Sequence, residues 1–383
     1  MRKSKGADME KVSVVECNSY ITEEVCSAVA EAVYRLDFTI PRNSTVLIKP
    51  NIMSQNTPRQ GTITHFSLIE GLCRILQEHG CTIIIGESIS FYQKGMTRKA
   101  FKTSEIDKVA EKYGAKCIAF EEEPLVKVDT GLTWMKELYL PEILLKADMV
   151  INVCKLKSHG SLRLSGAVKN MFGCLPGGYK QKIHTWSRNE LELADVFLDI
   201  NEIVKPALSI MDAIDSLDGG PSSLGKLVDT CRILASTNAA ALDVVATEMI
   251  DYKNEESPIL VQALKRGMIK SFDDIEVLGE PKKVLFKKPV KANLEKPINK
   301  NSALIKHTYV DLEINQEKCT GCKKCVHACP VGAIATEGDK VKLDQEKCIS
   351  CYYCLHVCPV NAILIKPTMM NRLIRFGRFL SGL

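Results

Sequence analysis

A chain of 383 residues that is 45% hydrophobic and 25% charged has a normal globular balance, enough apolar material for a sizeable core, and the length of two to three domains. No apolar run approaches the roughly 18–20 residues that span a bilayer, and the charged start MRKSKGADMEK lacks the pattern of a secretory leader, so a cytoplasmic protein is expected. The formal charge of +5 is modest for this length and by itself lends little support to a nucleic-acid role.

From residue 11 to 280, short apolar runs alternate with helical patterns. Val12–Cys17, Thr45–Lys49, Thr82–Glu87, Lys116–Phe120, Met149–Cys154, Leu208–Asp212 and Thr230–Ala235 read as strands. Thr22–Leu36, Thr64–His79, Asn189–Val204 and Ala239–Asp251 carry apolar residues at helical spacing. Near-continuous apolar strands alternating with helices predict an α/β domain over residues 1–280, with a largely parallel sheet covered by helices on both faces. Residues 281–308 turn Lys- and Pro-rich and read as a tether, with a docking strip for an acidic redox partner as the alternative. Residues 309–367 hold an internal repeat, and residues 368–383 form a basic amphipathic tail. That tail either packs back on the protein or makes peripheral contact with an anionic membrane.

Half of the 16 cysteines lie in the repeat. NQEKCTGCKKCVHACPVGAI is followed 29 positions later by DQEKCISCYYCLHVCPVNAI. Each copy is C-x2-C-x2-C-x3-C-P. Three thiolates on a tight loop cap three corners of a cubane, and the fourth, before Pro, reaches the other cluster. The spacing therefore predicts two 4Fe–4S clusters in a small α+β ferredoxin-like domain. One would be held by Cys319, Cys322, Cys325 and Cys358, the other by Cys348, Cys351, Cys354 and Cys329. Zinc also takes thiolates, but it requires neither the crossed connectivity nor the Cys-Pro pairs. This region resembles the bacterial two-cluster ferredoxins, and the resemblance implies a low-potential one-electron carrier.

In the larger domain, two expected strand ends are unusually polar: Lys49-Pro50-Asn51, and Lys155-Leu156-Lys157-Ser158-His159-Gly160. Ligands of open parallel sheets bind beyond the carboxyl ends of strands, so Lys49, Lys155, Lys157 and His159 are candidates for gripping an anion. The bland alternative is a set of solvated or salt-bridged lysines. Ser165–Gly173 follows, with Lys169 and Asn170 on the first turns of a helix, and then His184 in a loop. Asp218-Gly219-Gly220-Pro221 is a turn whose glycines let backbone approach a ligand. It lacks the Gly-Lys-Ser/Thr of a phosphate-binding loop, so no nucleotide is implied. Asp243 is either a site carboxylate or a helix N-terminal charge. Cys154 and Cys174 are either small buried hydrophobes or redox groups.

Taken together, Lys49-Pro50-Asn51, Thr64-His65, Lys155–His159, Val168-Lys169-Asn170 with Gly173, Asp218–Pro221 with Gly225, and Ala241–Val245 resemble the domain of unknown function 362 proteins, which are often fused to a two-cluster ferredoxin module. The resemblance implies this two-module architecture and iron–sulfur binding, and it implies no substrate. Two functions fit the residues. In one, a redox enzyme or subunit, Lys49, Lys157, Lys169, Asn51, Asn170, Gly219 and Gly220 surround an anionic small molecule and His159 or His184 moves protons. The other is a non-catalytic electron-transfer or metallocofactor-assembly adaptor for a partner protein. Nucleic-acid binding fits poorly, because aromatic residues do not interleave the Lys-rich strip, Phe286 apart.

Overall fold

The computed structural model describes residues 9–89, 94–132, 134–219, 225–287 and 310–367. The α/β domain contains β1 (Glu10–Glu16), β2 (Thr45–Lys49), β3 (Thr82–Glu87), β4 (Lys116–Ala119), β5 (Leu125–Asp129), β6 (Glu137–Pro141), β7 (Met149–His159), β8 (Arg163–Ser165), β9 (Leu208–Asp218), β10 (Lys226–Ser236) and β11 (Ile275–Leu278). Its main sheet runs β11-β1-β10-β9-β7-β2-β3-β4, with β8 added beside β7 and the β5–β6 hairpin forming a sheet of its own. Strands β9, β7, β2, β3 and β4 are mutually parallel. Along this order β10 is antiparallel to both β9 and β1, and the added β8 is antiparallel to β7.

Alternation along the strands feeds two cores. In β7, Val150, Cys154 and Leu156 join the core on one face, while Met149, Ile151 and Val153 join the other. Helices Thr22–Tyr34 and Phe66–Glu78 cover the second face, and Glu190–Val204, Ala239–Met249 and Pro258–Lys265 cover the first. The sheet is therefore buried on both sides, as its uninterrupted apolar strands require. Local chemistry sets the helix starts. Asn189 Oδ1 accepts from Glu192 N at 2.9 Å, and Asn238 Oδ1 accepts from Ala240 N and Ala241 N, each satisfying amides the helix cannot.

Strands β7 and β9 run well past their expected ends at Cys154 and Asp212, and β10 begins at Lys226, four residues before its expected start at Thr230. Charge interrupts the apolar runs at the ends of β7 and β9, but Lys155 and Asp212 pair with each other and Lys157 is buried, so the ladder continues through them. Residues 281–287, expected to begin a free tether, lie along the α/β domain. Val284 N donates to Met249 O at 2.7 Å, and the Phe286 side chain is buried. The rest of the expected tether and the tail at 368–383 lie outside the described residues.

The C-terminal module pairs β12 (Val310–Ile314) with β15 (Ile363–Pro367) and β13 (Ile334–Glu337) with β14 (Lys340–Leu343), both antiparallel. Short helices Lys324–Ala328 and Tyr353–Val357 complete it. The repeat in sequence is a repeat in backbone. Left-handed φ recurs at Gly321 and Ser350, at Lys323 and Tyr352, and at Gly332 and Asn361. Gly321 is required outright, since a Cβ there would stand 2.0 Å from Asp339 O.

Candidate functional site

From β2 the chain builds outward through β3 to β4, then returns to place β7 on the other side of β2. A sheet that winds both ways from one point opens a crevice there, beyond the strand carboxyl ends. The two polar segments singled out in sequence are the ends of these two strands.

The structure gives their lysines different roles. Lys49 Nζ is fully buried, 2.7 Å from Glu87 Oε2 at the end of β3, and also donates to Pro50 O at 3.0 Å. Glu87 Oε1 accepts from Ser88 N at 2.9 Å. Gly173 makes room for the pair, because a Cβ there would lie 2.5 Å from Glu87 Oε1 and 2.6 Å from Lys49 Nζ. Lys155 Nζ is likewise buried against Asp212 Oδ1 at 2.9 Å and donates to Tyr20 Oη at 2.7 Å. Both ammoniums are thus partnered within the protein.

Lys157 Nζ donates to Asn51 Oδ1 at 2.6 Å and to Thr62 O at 2.9 Å. From Asn51 an amide chain crosses the crevice. Asn51 Nδ2 donates to Asn170 Oδ1 at 2.9 Å, Asn170 Nδ2 to Asn152 Oδ1 at 2.8 Å, and Asn152 Nδ2 to Ala167 O at 3.0 Å. With neutral acceptors only, burial followed by repulsion from Lys169 and Lys155 lowers the Lys157 pKa to about 7.

Lys169 differs from the other three. It is half-buried and has no hydrogen-bond or ion-pair partner among the described residues. Burial lowers its pKa to about 8. Its field reaches His159 and His184. His184 is open to solvent yet closely surrounded by protein, with the Phe172 ring edge-on at 5.3 Å. Burial, then Lys169, pulls its pKa down to about 4. Burial, then Lys169, His184 and Lys157, holds His159 well below the usual imidazole range. His159 Nδ1 accepts from Leu162 N at 3.2 Å, which leaves the ring proton on Nε2 as a donor. Lys169, Lys157, His159 and His184 therefore form a group short of negative charge.

Asp243 faces inward. Its carboxylate accepts from Ala167 N at 2.6 Å and Val168 N at 3.0 Å, and Gly166 is glycine because a Cβ would overlap it. Burial pushes its pKa up to about 7 against the pull of those two amides. Gly219, with φ +92°, donates its N–H to Ser158 Oγ at 2.9 Å; Gly220 lies outside the described residues. Cys154 and Cys174 are fully buried, and burial raises both thiols, Cys174 to about 12. Sequence reasoning missed Glu87, Asp212, Tyr20 and Asn152. The one signal was an acidic residue closing each of the apolar runs TIIIGE and LSIMD.

In the C-terminal module the thiols stand around two spaces. Cys319, Cys322, Cys325 and Cys358 line one of about 330 Å³, with Ile314, Val341 and Ile363. Cys329, Cys348, Cys351 and Cys354 line another of about 320 Å³, with Leu312, Val331 and Leu343. Each set is the three-plus-one grouping of the repeat, with the fourth thiol taken from the other copy. Ala333 N donates to Cys329 Sγ and Ala362 N to Cys358 Sγ, both at 3.2 Å, and Ser350 N to Cys348 Sγ at 3.4 Å. Amides aimed at sulfur inside an apolar jacket suit thiolates that carry a negatively charged cluster.

The second space faces the α/β domain. Gly178 N donates to Ser350 O at 2.9 Å. A Cβ on Gly177 would lie 2.9 Å from Cys351 O, and one on Gly178 2.6 Å from Tyr352 Oη. Ile349 and Cys351 belong to the α/β domain's core. Tyr179, next in sequence, begins the helix Tyr179–Trp186 that carries His184. Five residues at 1.5 Å each put His184 about 7.5 Å along that helix from Tyr179.

Fold and site define a class: an α/β domain packed onto a 4Fe–4S ferredoxin-type electron-transfer domain. Residues 46–248 match the family described as Domain of unknown function (DUF362), and residues 311–359 match the 4Fe-4S dicluster domain. The first match spans more than half of the chain, and the chain belongs to that family. It is similar to the "Thylakoid-associated protein sll1697" of Synechocystis sp. (strain ATCC 27184 / PCC 6803 / Kazusa), 26% identical over 224 residues, which are 58% of this chain and 68% of that protein. Among solved structures, the lactate racemase apoprotein from Thermoanaerobacterium thermosaccharolyticum aligns over 63% of this chain at 11% identity and a TM-score of 0.39. The chain spans little more than half, 57%, of that protein. Among the described residues no helix is long and apolar enough to cross a membrane.

Proposed function

We propose that this chain is an iron–sulfur redox protein in which two 4Fe–4S clusters exchange single electrons with an oxyanion held at the β2–β7 crevice. One cluster is held by Cys319, Cys322, Cys325 and Cys358, the other by Cys348, Cys351, Cys354 and Cys329. When bound, they supply electrons one at a time. Lys169 is the principal anion contact, and Lys157 and the His159 Nε2–H complete the donors. His184, neutral at physiological pH, exchanges a proton with the bound anion. Lys49, Asn51, Asn170 and Gly219 hold the walls in place. The observation that carries the reading is Lys169: a half-buried ammonium with no partner among the described residues, beside two imidazoles and the buried Lys157. Such a group is costly unless an anion offsets it.

Anion arrival raises the pKa of each cation it touches, so binding takes up protons. Affinity should be greatest below about pH 8 and fall as pH rises through the free Lys169 pKa of about 8. The test is calorimetric titration of anaerobic holo-protein with inorganic phosphate, sulfate and small mono- and dicarboxylates, alongside the Lys169→Met variant. We expect at least one anion to bind with that pH profile and to lose about tenfold or more in affinity in the variant, with iron content unchanged. Equal binding by wild type and variant, or binding of none, overturns the site. Binding without any effect on cluster reduction points instead to the adaptor reading, in which the α/β domain binds but does not turn over.

A further inference from the structure

The two copies of the cysteine repeat differ where their surroundings differ. The first reads Cys322-Lys323-Lys324-Cys325; at the matching positions the second reads Cys351-Tyr352-Tyr353-Cys354. Tyr352 is buried against Gly177 and Gly178, and Tyr353 packs beside the α/β core. The second copy therefore shows its aromatic face to its own protein.

The first copy shows the opposite character. Cys322, Lys318, Lys323 and Lys324 are all exposed. None of these three lysines has an ion-pair partner among the described residues. In the second copy, Lys347, which matches Lys318, lies 4.0 Å from Asp344. Beside them Val360 is exposed at the mouth of the same thiol-lined space. The exposed Cys322, Lys323 and Val360 border one thiol-lined space, with the exposed Lys318 and Lys324 next in sequence to its Cys319 and Cys325, whereas the other set of thiols is covered by the α/β domain.

We propose that the face formed by Lys318, Cys322, Lys323, Lys324 and Val360 is the docking surface for an acidic one-electron carrier protein. Electrons then pass between that carrier and the α/β domain by way of the outer cluster first and the inner cluster second. In the inward direction the carrier loses one electron and the outer cluster gains it, with no bond made or broken. The inference rests on the two-cluster reading above. It adds the partner's charge, the place of contact and the order of the clusters. Charge complementarity of this kind acts mainly on the encounter rate, by 10- to 10³-fold at low salt.

The experiment is anaerobic stopped-flow reduction of the full-length holo-protein by a fully reduced flavodoxin, an acidic one-electron donor, followed by bleaching of the cluster absorption. The proteins compared are wild type, the Lys323→Glu/Lys324→Glu variant, and a Lys265→Glu/Lys270→Glu variant with the same charge change on exposed lysines of the α/β domain. We expect the second-order rate constant of the first variant to fall about tenfold or more at low ionic strength and to lose its decrease with salt. The control should stay within about twofold of wild type. An unchanged rate in the first variant, or an equal fall in both, overturns the docking surface. Iron content and the extent of bleaching by dithionite are read on the same samples. If these do not correspond to two clusters in wild type, the underlying reading has failed instead.

Discussion

The Lys49–Glu87 pair separates a structural lysine from an anion-gripping one. Its side chains are 0% and 2% exposed and the charges are 2.7 Å apart. Both carboxylate oxygens are used, since Oε2 also accepts from Ile52 N at 3.3 Å and Oε1 takes Ser88 N. Glu87→Gln keeps the shape and removes the charge, stranding a buried ammonium. Losing one partner of a buried pair costs about 3–5 kcal/mol. The molecule's two tryptophans, Trp134 and Trp186, both lie in the α/β domain, so their fluorescence follows that domain's unfolding. At a urea m-value of about 3 kcal/mol/M, the midpoint should fall by about 1–1.7 M. The double variant Lys49→Met/Glu87→Leu removes both charges and should recover most of that loss, because well-packed apolar residues replace a buried pair at little cost. A midpoint for Glu87→Gln within about 0.2 M of wild type, or a double variant as unstable as the single, would refute the reasoning and return Lys49 to the anion site.

Other outcomes follow from particular contacts. Asp243, with its pKa at about 7 in the native state, keeps a proton that the unfolded chain releases above about pH 3.9. Stability should therefore decline as pH rises from about 4 to about 7, and Asp243→Asn should flatten that slope in urea titrations across the range. Gly177→Val places a β-branched residue at φ +55° against Cys351 O and the Tyr352 ring. It should undock the inner cluster's loop, seen as faster amide exchange at Gly178 and faster loss of iron in air. Cys358→Ser removes a thiol from the space lined by the first copy's three cysteines. Iron should fall from about eight to about four per chain, with the cluster of the second copy's thiols left reducible.

Much of this protein is legible in its sequence because the signals are local. The strands Thr45–Lys49 and Thr82–Glu87 begin and end where their β-branched runs do. The cysteine spacing names its own groups. What stays hidden depends on register. Lys49 meets Glu87 because Ile48 pairs with Ile85, so two residues 38 apart end adjacent strands together. Nothing in the string distinguishes the ion-paired Lys49 from Lys169, which has no partner among the described residues, since each stands close before an asparagine of the same amide chain. The short strands β5, β8 and β11 carry too little periodicity to declare themselves, and Pro281–Lys287 looks like a linker until Phe286 is seen inserted under it.

Gly166, Gly173, Gly177 and Gly178 give the clearest connection between site and electron path. Each is glycine for a different neighbour: Asp243 for the first, the Lys49–Glu87 pair for the second, and the backbone and ring at Cys351 and Tyr352 for the last two. Between them lie Lys169, aligned with the crevice's histidines, and Asn170, in its amide chain. One continuous segment therefore touches a buried carboxylate, a buried ion pair and the inner thiol loop, and carries Lys169. Its backbone is closely packed at each of these four glycines. A flexible connection would need no glycine at any of these contacts. Four close approaches in so short a stretch are what a rigid coupling between the two modules requires.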